Sequence, residues 1–320
     1  GGLSNYNSSL ACTKNGNAYT PGANDAVTVA ENDVVVCTYT NTRKKGSIEL
    51  KKVWSGTGGQ TTLNIGTSAG GSQVDSQQTG ANGAGPLTTD ANVVNTGTYY
   101  VSESGGLSNY DSSLACTKNG NAYTPGANDA VTVGKDDVVV CTYTNTRKTG
   151  TIKLVKELNG GGSDTFNLKI NGVNQSKSGG GTGFGDGDAT AVLTKDTGTY
   201  TVSESAVAPA TDGQYDESLS CVNNGAGAAD TDGSIDIAKG DNWVCTFTNT
   251  RRQGSIELKK VWSGTGGQTT LKIGTSAGGS QVDTQQTGAN GAGPLTTGNN
   301  TVNTGTYYVS ESGGLSNYDS

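Results

Sequence analysis

The chain of 320 residues contains no histidine and no methionine. Without imidazole, a Ser-His-Asp triad, a Cys-His dyad and any His-ligated metal are excluded. Charged residues make up only 15% and aromatics 6%, and no helical Ala/Leu/Glu/Lys pattern runs through them, which argues against bundles and coiled coils. The 21 basic residues are outnumbered by 28 acidic ones, a net charge of −7, so no nucleic-acid partner is expected. No apolar run approaches the roughly 18 residues of a membrane helix, so no membrane insertion is expected of this segment. There is neither an initiating Met nor a leader pattern, as expected of a processed chain or an internal window of a longer one. What is abundant is glycine, 51 residues. With Thr, Ser and Asn, that composition would suit a flexible linker.

Internal repetition overturns the linker reading. Residues 1–45 match residues 105–149 except at positions 7, 30, 31, 32 and 45, and residues 46–112 match 254–320 with five differences. The offsets, 104 and 208, define a period of 104 residues. A more divergent copy runs from Gly150 to Gln253 with the same landmarks in order: GTIKLVKEL, GTYTVSES, SLSCV and NWVCTFTNTR. The expected organisation is a C-terminal half of an A-type repeat (1–45), a complete A-type repeat (46–149), a complete B-type repeat (150–253) and an N-terminal part of an A-type repeat (254–320). The first eight residues nearly recur as the last eight, which suggests a window cut from a longer array.

The landmarks read as strands. Ile48, Leu50 and Lys52 alternate with Ser47, Glu49 and Lys51, and Val139, Cys141, Tyr143 and Asn145 alternate with Val140, Thr142 and Thr144. Period-two alternation, Thr/Val/Tyr enrichment and Gly/Asn punctuation predict antiparallel strands. Six to eight of them per repeat predict an all-β fold, a tandem array of small antiparallel β-sandwiches. Two Gly-rich excursions, 66–85 and 176–189, read as weak edge strands or loops. Only TRKTGT separates Asn145 from Ile152, a short, stiff connector. Its Arg and Lys, like Arg43-Lys44-Lys45, read as a solvated linker.

Six cysteines fall as Cys12/Cys37, Cys116/Cys141 and Cys221/Cys245, one pair per repeat and 24 or 25 residues apart. Even count, regular spacing and inward parity predict disulfides in an oxidising compartment. Two thiols per repeat are too few for a structural metal site, so no metal is expected.

Three polar residues stand at fixed places, each ending an apolar stripe: Lys52, Lys156 and Lys260; Glu103, Glu204 and Glu311; Asn41, Asn145 and Asn249. Parity places Lys52 with Ile48 and Leu50, Glu103 with Tyr99 and Val101, and Asn145 with Cys141 and Tyr143. A single charge directed into a core is costly, so three inward polar groups are expected to meet. Burial lowers the Lys pKa and raises that of Glu. A neutral amine can then attack the Asn carboxamide while Glu polarises it and moves protons. The alternative is a buried Lys–Glu ion pair with Asn hydrogen-bonded beside it. The complete sets are Lys52/Glu103/Asn145 and Lys156/Glu204/Asn249. Lys260, Glu311 and Asn41 are partial sets, whose missing partners a longer array would supply.

Strand Lys, GTYxVSE and a final strand ending in Asn, in that order, resemble the B-type collagen-adhesin repeat, also called the SpaA or prealbumin-like domain. The resemblance covers every segment of the chain. It implies an autocatalytic Lys–Asn isopeptide bond with an assisting Glu, and roles in Gram-positive pilins and surface adhesins. The ending VCTFTNTR with a disulfide resembles a variant found in large bacterial surface proteins. The family's Pro-x-Gly-Tyr turn is replaced here by GGLSNY, with only Tyr6 and Tyr110 matching.

The functional expectation is an extracellular structural fibre or stalk on a bacterial surface. The alternative is an adhesin binding host protein or glycan through Gly-rich loops. No turnover enzyme and no cofactor are expected. The expected partners are further copies of the repeat, with lateral self-association. Asp186 and Asp188, and Asp230, Asp232 and Asp236, echo calcium-loop spacing but lack the terminal Glu and read as solvated turns. Trp54 and Trp262 read as core or rim packing. The sequons at Asn7, Asn174 and Asn299 carry little weight in a bacterial protein.

Overall fold

The computed structural model describes residues 3–160, 162–314 and 316. The chain folds as two compact units, Gly1–Lys148 and Thr149–Ser320. Among the described residues, helix is limited to three-residue 3-10 turns, and no helix is long and apolar enough to cross a membrane.

In the first unit, β1 (Tyr6–Lys14), β2 (Asn17–Tyr19) and β3 (Val35–Arg43) form a three-stranded sheet in the order β2-β1-β3. One residue later begins a sandwich. Its strands are β4 (Lys45–Ser55), β5 (Thr62–Gly66), β6 (Asp75–Gln78), β7 (Asn92–Asn95), β8 (Gly97–Ser104), β9 (Tyr110–Lys118), β10 (Asn121–Tyr123), β11 (Ala130–Val133) and β12 (Val138–Arg147). A five-stranded sheet, β10-β9-β12-β4-β7, faces a four-stranded one, β11-β8-β5-β6. Ile48, Leu50, Val139, Cys141 and Tyr143 from the first sheet pack on Leu63, Ile65, Tyr99, Val101, Val131 and Val133 from the second. The alternation read from the sequence is the burial pattern of β12, whose inward residues are Val139, Cys141, Tyr143 and Asn145. Nine strands rather than six to eight are present because short pieces pair at the edges. One is β10, joined to β9 by an Asn119-Gly120 turn with both φ values positive, 52° and 81°, the two-residue hairpin that Asn-Gly favours. Another is β6, which makes the excursion 66–85 an edge strand on β5.

The first and last strands of this sandwich, β4 and β12, are neighbours and run parallel, with Lys52 opposite Tyr143 and Asn145 opposite Trp54. Strands entered and left in this way are sheared, not unzipped, by tension on the chain.

The second unit opens with a like sandwich. Its strands are β13 (Thr149–Asn159), β14 (Thr165–Ile170), β15 (Val173–Asn174), β16 (Leu193–Asp196), β17 (Gly198–Val207), β18 (Tyr215–Asn223), β19 (Ala226–Asp230), β20 (Ser234–Ile237) and β21 (Asn242–Arg251). The sheets are β16-β13-β21-β18-β19 and β15-β14-β17-β20, and β13 again runs parallel to β21. The excursion 176–189 is more than a loop: Phe184 pairs with Phe166 and is fully buried in the core. After it come β22 (Gln253–Ile256), β23 (Thr270–Gly274), β24 (Asp283–Gln286), β25 (Asn300–Asn303) and β26 (Tyr308–Ser312), in a two-stranded and a three-stranded sheet.

The partial segments expose what the complete repeat covers. Tyr143 is 6% exposed but its counterpart Tyr39 is 59%; Val101 is 1% exposed and its counterpart Val309 is 53%. Near-identical sequence thus keeps the ladder of β1 and β3, but β22 covers four residues where β4 has eleven and Ala26–Val29 forms no strand where β11 does, and burial is lost with them.

Candidate cross-link site

All three cysteine pairs are disulfides: Cys12–Cys37, Cys116–Cys141 and Cys221–Cys245. Each joins residues directly opposite on adjacent antiparallel strands, with Cα atoms 3.9 to 4.0 Å apart. The bond therefore staples the last strand of the repeat to its hairpin-side neighbour.

In the complete A-type sandwich, Lys52, Glu103 and Asn145 converge at one end of the core. Lys52 reaches inward from β4 and Asn145 from β12, two residues out of register on one face, a diagonal within reach of long side chains. Glu103 comes across from β8 in the opposite sheet. Its Oε2 lies 2.9 Å from Lys52 Nζ and accepts the Asn145 carboxamide N–H at 3.2 Å. The Lys contact is close but poorly directed, so Nζ is left without a well-formed hydrogen bond. Asn145 is fully buried and its carbonyl oxygen accepts nothing, an arrangement that costs about 1–3 kcal/mol in an unreactive core. Burial holds Lys52 below its usual pKa, against the opposing pull of Glu103. The Trp54 ring lies 4.5 Å from the ammonium and meets Tyr110 edge-on. Gly83 packs on that indole: a Cβ there would come within 3.2 Å of the ring and 3.0 Å of the Gly58 backbone.

The B-type site repeats the geometry. Lys156 Nζ is 2.7 Å from Glu204 Oε2 and donates to the Phe247 carbonyl at 3.3 Å. Lys156 and Asn249 are fully buried. Asn249 lies close enough to Glu204 to favour its ionised form, yet neither polar atom of its carboxamide makes a well-formed hydrogen bond. Burial lowers the Lys156 pKa and raises that of Glu204, and the Glu217 carboxylate adds to the rise at Glu204. The aromatic wall is Phe166, from the other sheet, 4.3 Å from Nζ.

The partial sets are brought together only in part. Lys260 pairs with Glu311 at 2.9 and 3.1 Å and sits over Trp262, more exposed than its counterparts. Asn41 stands exposed on β3, opposite Ser8.

Parity in the strand before the cysteine held a signal that the sequence reading missed. Tyr110, Ser112, Leu114 and Cys116 alternate on one face. Ser112 donates its hydroxyl to Glu103 Oε1 at 2.5 Å, and its counterpart in the B-type repeat is Glu217. The Asp runs act as local caps. Asp186 accepts the Leu158 N–H, and Asp188 accepts the Gly185 N–H and pairs with Lys177. Asp230 and Asp232 accept N–H groups two residues on, and Asp236 accepts the Thr199 hydroxyl. Among the described residues no group of three or more acids or cysteines is placed to hold a metal ion.

Strand order, paired disulfides and an inward Lys–Glu–Asn set define a disulfide-stapled β-sandwich repeat. The profile of the prealbumin-like fold domain matches residues 1–43, 48–147 and 151–251, and the chain belongs to that family. Solved structures similar to it include the TIE protein of Bacillus anthracis (14% identity, 96% of this chain and 52% of that one, TM-score 0.40). Others are the major pilin T3.2 of Streptococcus pyogenes (15%, 65% and 99%, TM-score 0.38) and two B repeat units of the collagen-binding protein of Staphylococcus aureus (14%, 98% and 89%, TM-score 0.24). The chain thus spans about half of the Bacillus protein. Among curated proteins none matches it in sequence.

Proposed function

We propose that this chain is part of a structural fibre or stalk on a bacterial surface, built of repeats bounded at 1–45, 46–149, 150–253 and 254–320. Each complete repeat is closed by an isopeptide bond, Lys52 to Asn145 and Lys156 to Asn249. The observation that carries the reading is the buried Lys–Glu–Asn set in both complete sandwiches, with an unsatisfied Asn side-chain carbonyl beside a lysine that burial pushes toward the neutral amine. In the reaction the amine nitrogen bonds to the Asn side-chain carbon and the original carbon–nitrogen bond breaks. The Glu takes the proton from the attacking amine and delivers it to the departing nitrogen, which leaves as ammonia. Holding the groups together supplies the effective molarity that free amides lack. The link would join the two strands that bear tension, sheltering the residues between them. The pilin and adhesin roles implied by the sequence resemblance accord with such a load-bearing part.

Intact mass of the chain decides it. Beyond the six hydrogens lost to three disulfides, the chain should lack two molecules of ammonia, one per complete repeat. Glu103→Ala should restore one and Glu204→Ala the other. A wild-type mass short only by the disulfide hydrogens would leave a buried ion pair in place of the bond.

A second reading, an adhesive one, has one observation in its favour. The Gly-rich excursion of the B-type repeat borders an open cavity of about 540 Å³ lined by Lys153, Lys177, Gly179, Gly180 and Asp188. Saturable binding on glycan or matrix-protein arrays, lost on Lys177→Ala, would favour it over a plain spacer.

A further inference from the structure

At the junctions Lys45 and Arg252 are exposed, as the sequence suggested, but Arg43 and Arg251 are half-buried and the connector backbone is tied. Between β3 and β4 a single residue, Lys44, lies outside both strands, and its backbone is bonded on both sides. Its N–H donates back to Asn5 O at 2.9 Å, and its carbonyl accepts forward from Thr96 N–H at 2.9 Å. Asn5 precedes β1, whereas Thr96 lies between β7 and β8 of the next sandwich. Arg252 holds the same place between β21 and β22: its N–H donates to Gln214 O at 2.9 Å and its carbonyl accepts from Thr304 N–H at 2.8 Å. Lys148 repeats the backward half, donating to Asn109 O at 3.0 Å. A connector residue tied at both its N–H and its C=O has no free backbone rotation.

The arginine before each connector closes the arrangement. Arg43 donates Nη2 to the Thr96 carbonyl, and Arg251 donates Nη2 to the Thr304 carbonyl at 2.5 Å. The acceptor threonine is thereby held at both its N–H and its C=O. Each guanidinium lies near a tyrosine ring of its own repeat, Arg43 at 5.1 Å from Tyr6 and Arg251 at 4.9 Å from Tyr215, and donates Nη1 to that hydroxyl at 3.2 and 2.8 Å. Arg147 likewise lies near the Tyr110 ring. A planar fork that donates one nitrogen to a hydroxyl and the other to a carbonyl is a task for Arg and not Lys.

We propose that this Arg–Tyr donor and the Asn-Thr-Gly acceptor form a coupler between successive repeats that fixes their angle and is indifferent to repeat type. The indifference is visible in the two junctions: an A-type tail at Arg43 and a B-type tail at Arg251 grip the same acceptor threonine of an A-type head, Thr96 or Thr304. The partner this surface fits is therefore an A-type head, which an A-type or a B-type tail can precede with the same set of bonds. The inference takes the division into repeats from the reading above but does not use the cross-link, and absence of ammonia loss would leave it standing.

Hydrogen exchange and X-ray scattering of the full chain test it. In the wild type the Thr96 and Thr304 amides should be protected. Arg251→Ala should speed exchange at Thr304 by about tenfold or more and broaden the distribution of interatomic distances, while the Phe247 and Leu154 amides keep their protection. Arg251→Lys should not rescue. Two glycines inserted after Arg252 should act like Arg251→Ala, and that variant decides the matter if the substitution unfolds the B-type core. Freely exchanging Thr96 and Thr304 amides in the wild type, or unchanged exchange and scattering in the insertion variant, would overturn the coupler.

Discussion

The two complete sandwiches bury the same three polar residues in different surroundings. In the A-type repeat, Ser112 donates to the buried glutamate, Trp54 from the lysine's own strand covers the ammonium, and the Tyr143 hydroxyl donates to Asp129 at 2.7 Å. In the B-type repeat these places belong to Glu217, to Phe166 from the opposite sheet, and to Phe247, which has no hydroxyl. The Lys, Glu and Asn are thus held by strand parity and sheet pairing, and the rim is free to vary around them. What the rim sets is protonation. In the B-type site burial, with the neighbouring Glu217 carboxylate adding to it, raises the Glu204 pKa and favours its protonated form.

The largest expected effect comes from removing the lysine. Lys52→Met and Lys156→Met each abolish the cross-link and leave a buried glutamate without its partner, a loss of at least about 3–5 kcal/mol. The loss should be greater in the B-type repeat, where Glu217 repels the stranded Glu204. Domain-resolved hydrogen exchange against denaturant would measure both, and equal losses would remove Glu217 from the account.

Exchanging the rim residues should give a smaller effect that depends on pH. In a Lys156→Met chain the Glu204 pKa stands above the usual 4.5, through burial first and Glu217 next. The folded state then holds a proton that the unfolded state releases. Stability of the B-type repeat should be greatest at or below about pH 4.5 and fall as pH rises through the raised value. Glu217→Ser should narrow that window, and Ser112→Glu in a Lys52→Met chain should open or widen one in the A-type repeat. Melting temperature against pH reads both, and profiles unmoved by either swap would contradict the role given to the rim.

The smallest expected effect is that of Tyr143→Phe, which gives the A-type core the B-type aromatic. The hydroxyl also lies 3.3 Å from the Val101 carbonyl, which can share its one proton, and its loss should cost about 1 kcal/mol in chemical denaturation. A neutral result would show Asp129 to be equally well hydrated without it.

Most of this site was legible because a strand is a two-state code. Once Ile48, Leu50 and Val139 were read as inward, the facing of Lys52 and Asn145 followed, and the repeated inward cysteine pair gave the disulfides. Ser112 and Glu217 obeyed the same code but lie at the rim, where inward parity does not mean burial. Phe184 was hidden by its setting: a lone aromatic in a Gly-rich stretch has no periodicity to reveal it. The connectors were legible only as short and stiff, because the bonds of Lys44 and Arg252 run to carbonyls and amides whose partners are set by tertiary geometry, not residue type.

The parallel adjacency of β4 and β12 also bears on how far such an array can stretch. An unfolded residue spans at most about 3.3–3.6 Å, so a repeat that came apart between its outer strands would pay out roughly 300 Å of slack and dissipate work as it did so. A bond from Lys52 to Asn145 would withhold nearly all of it, leaving only the few residues outside the bridge to extend. Such an array would behave as a cable and not as a shock absorber, passing a sudden pull at one end to the other almost undiminished.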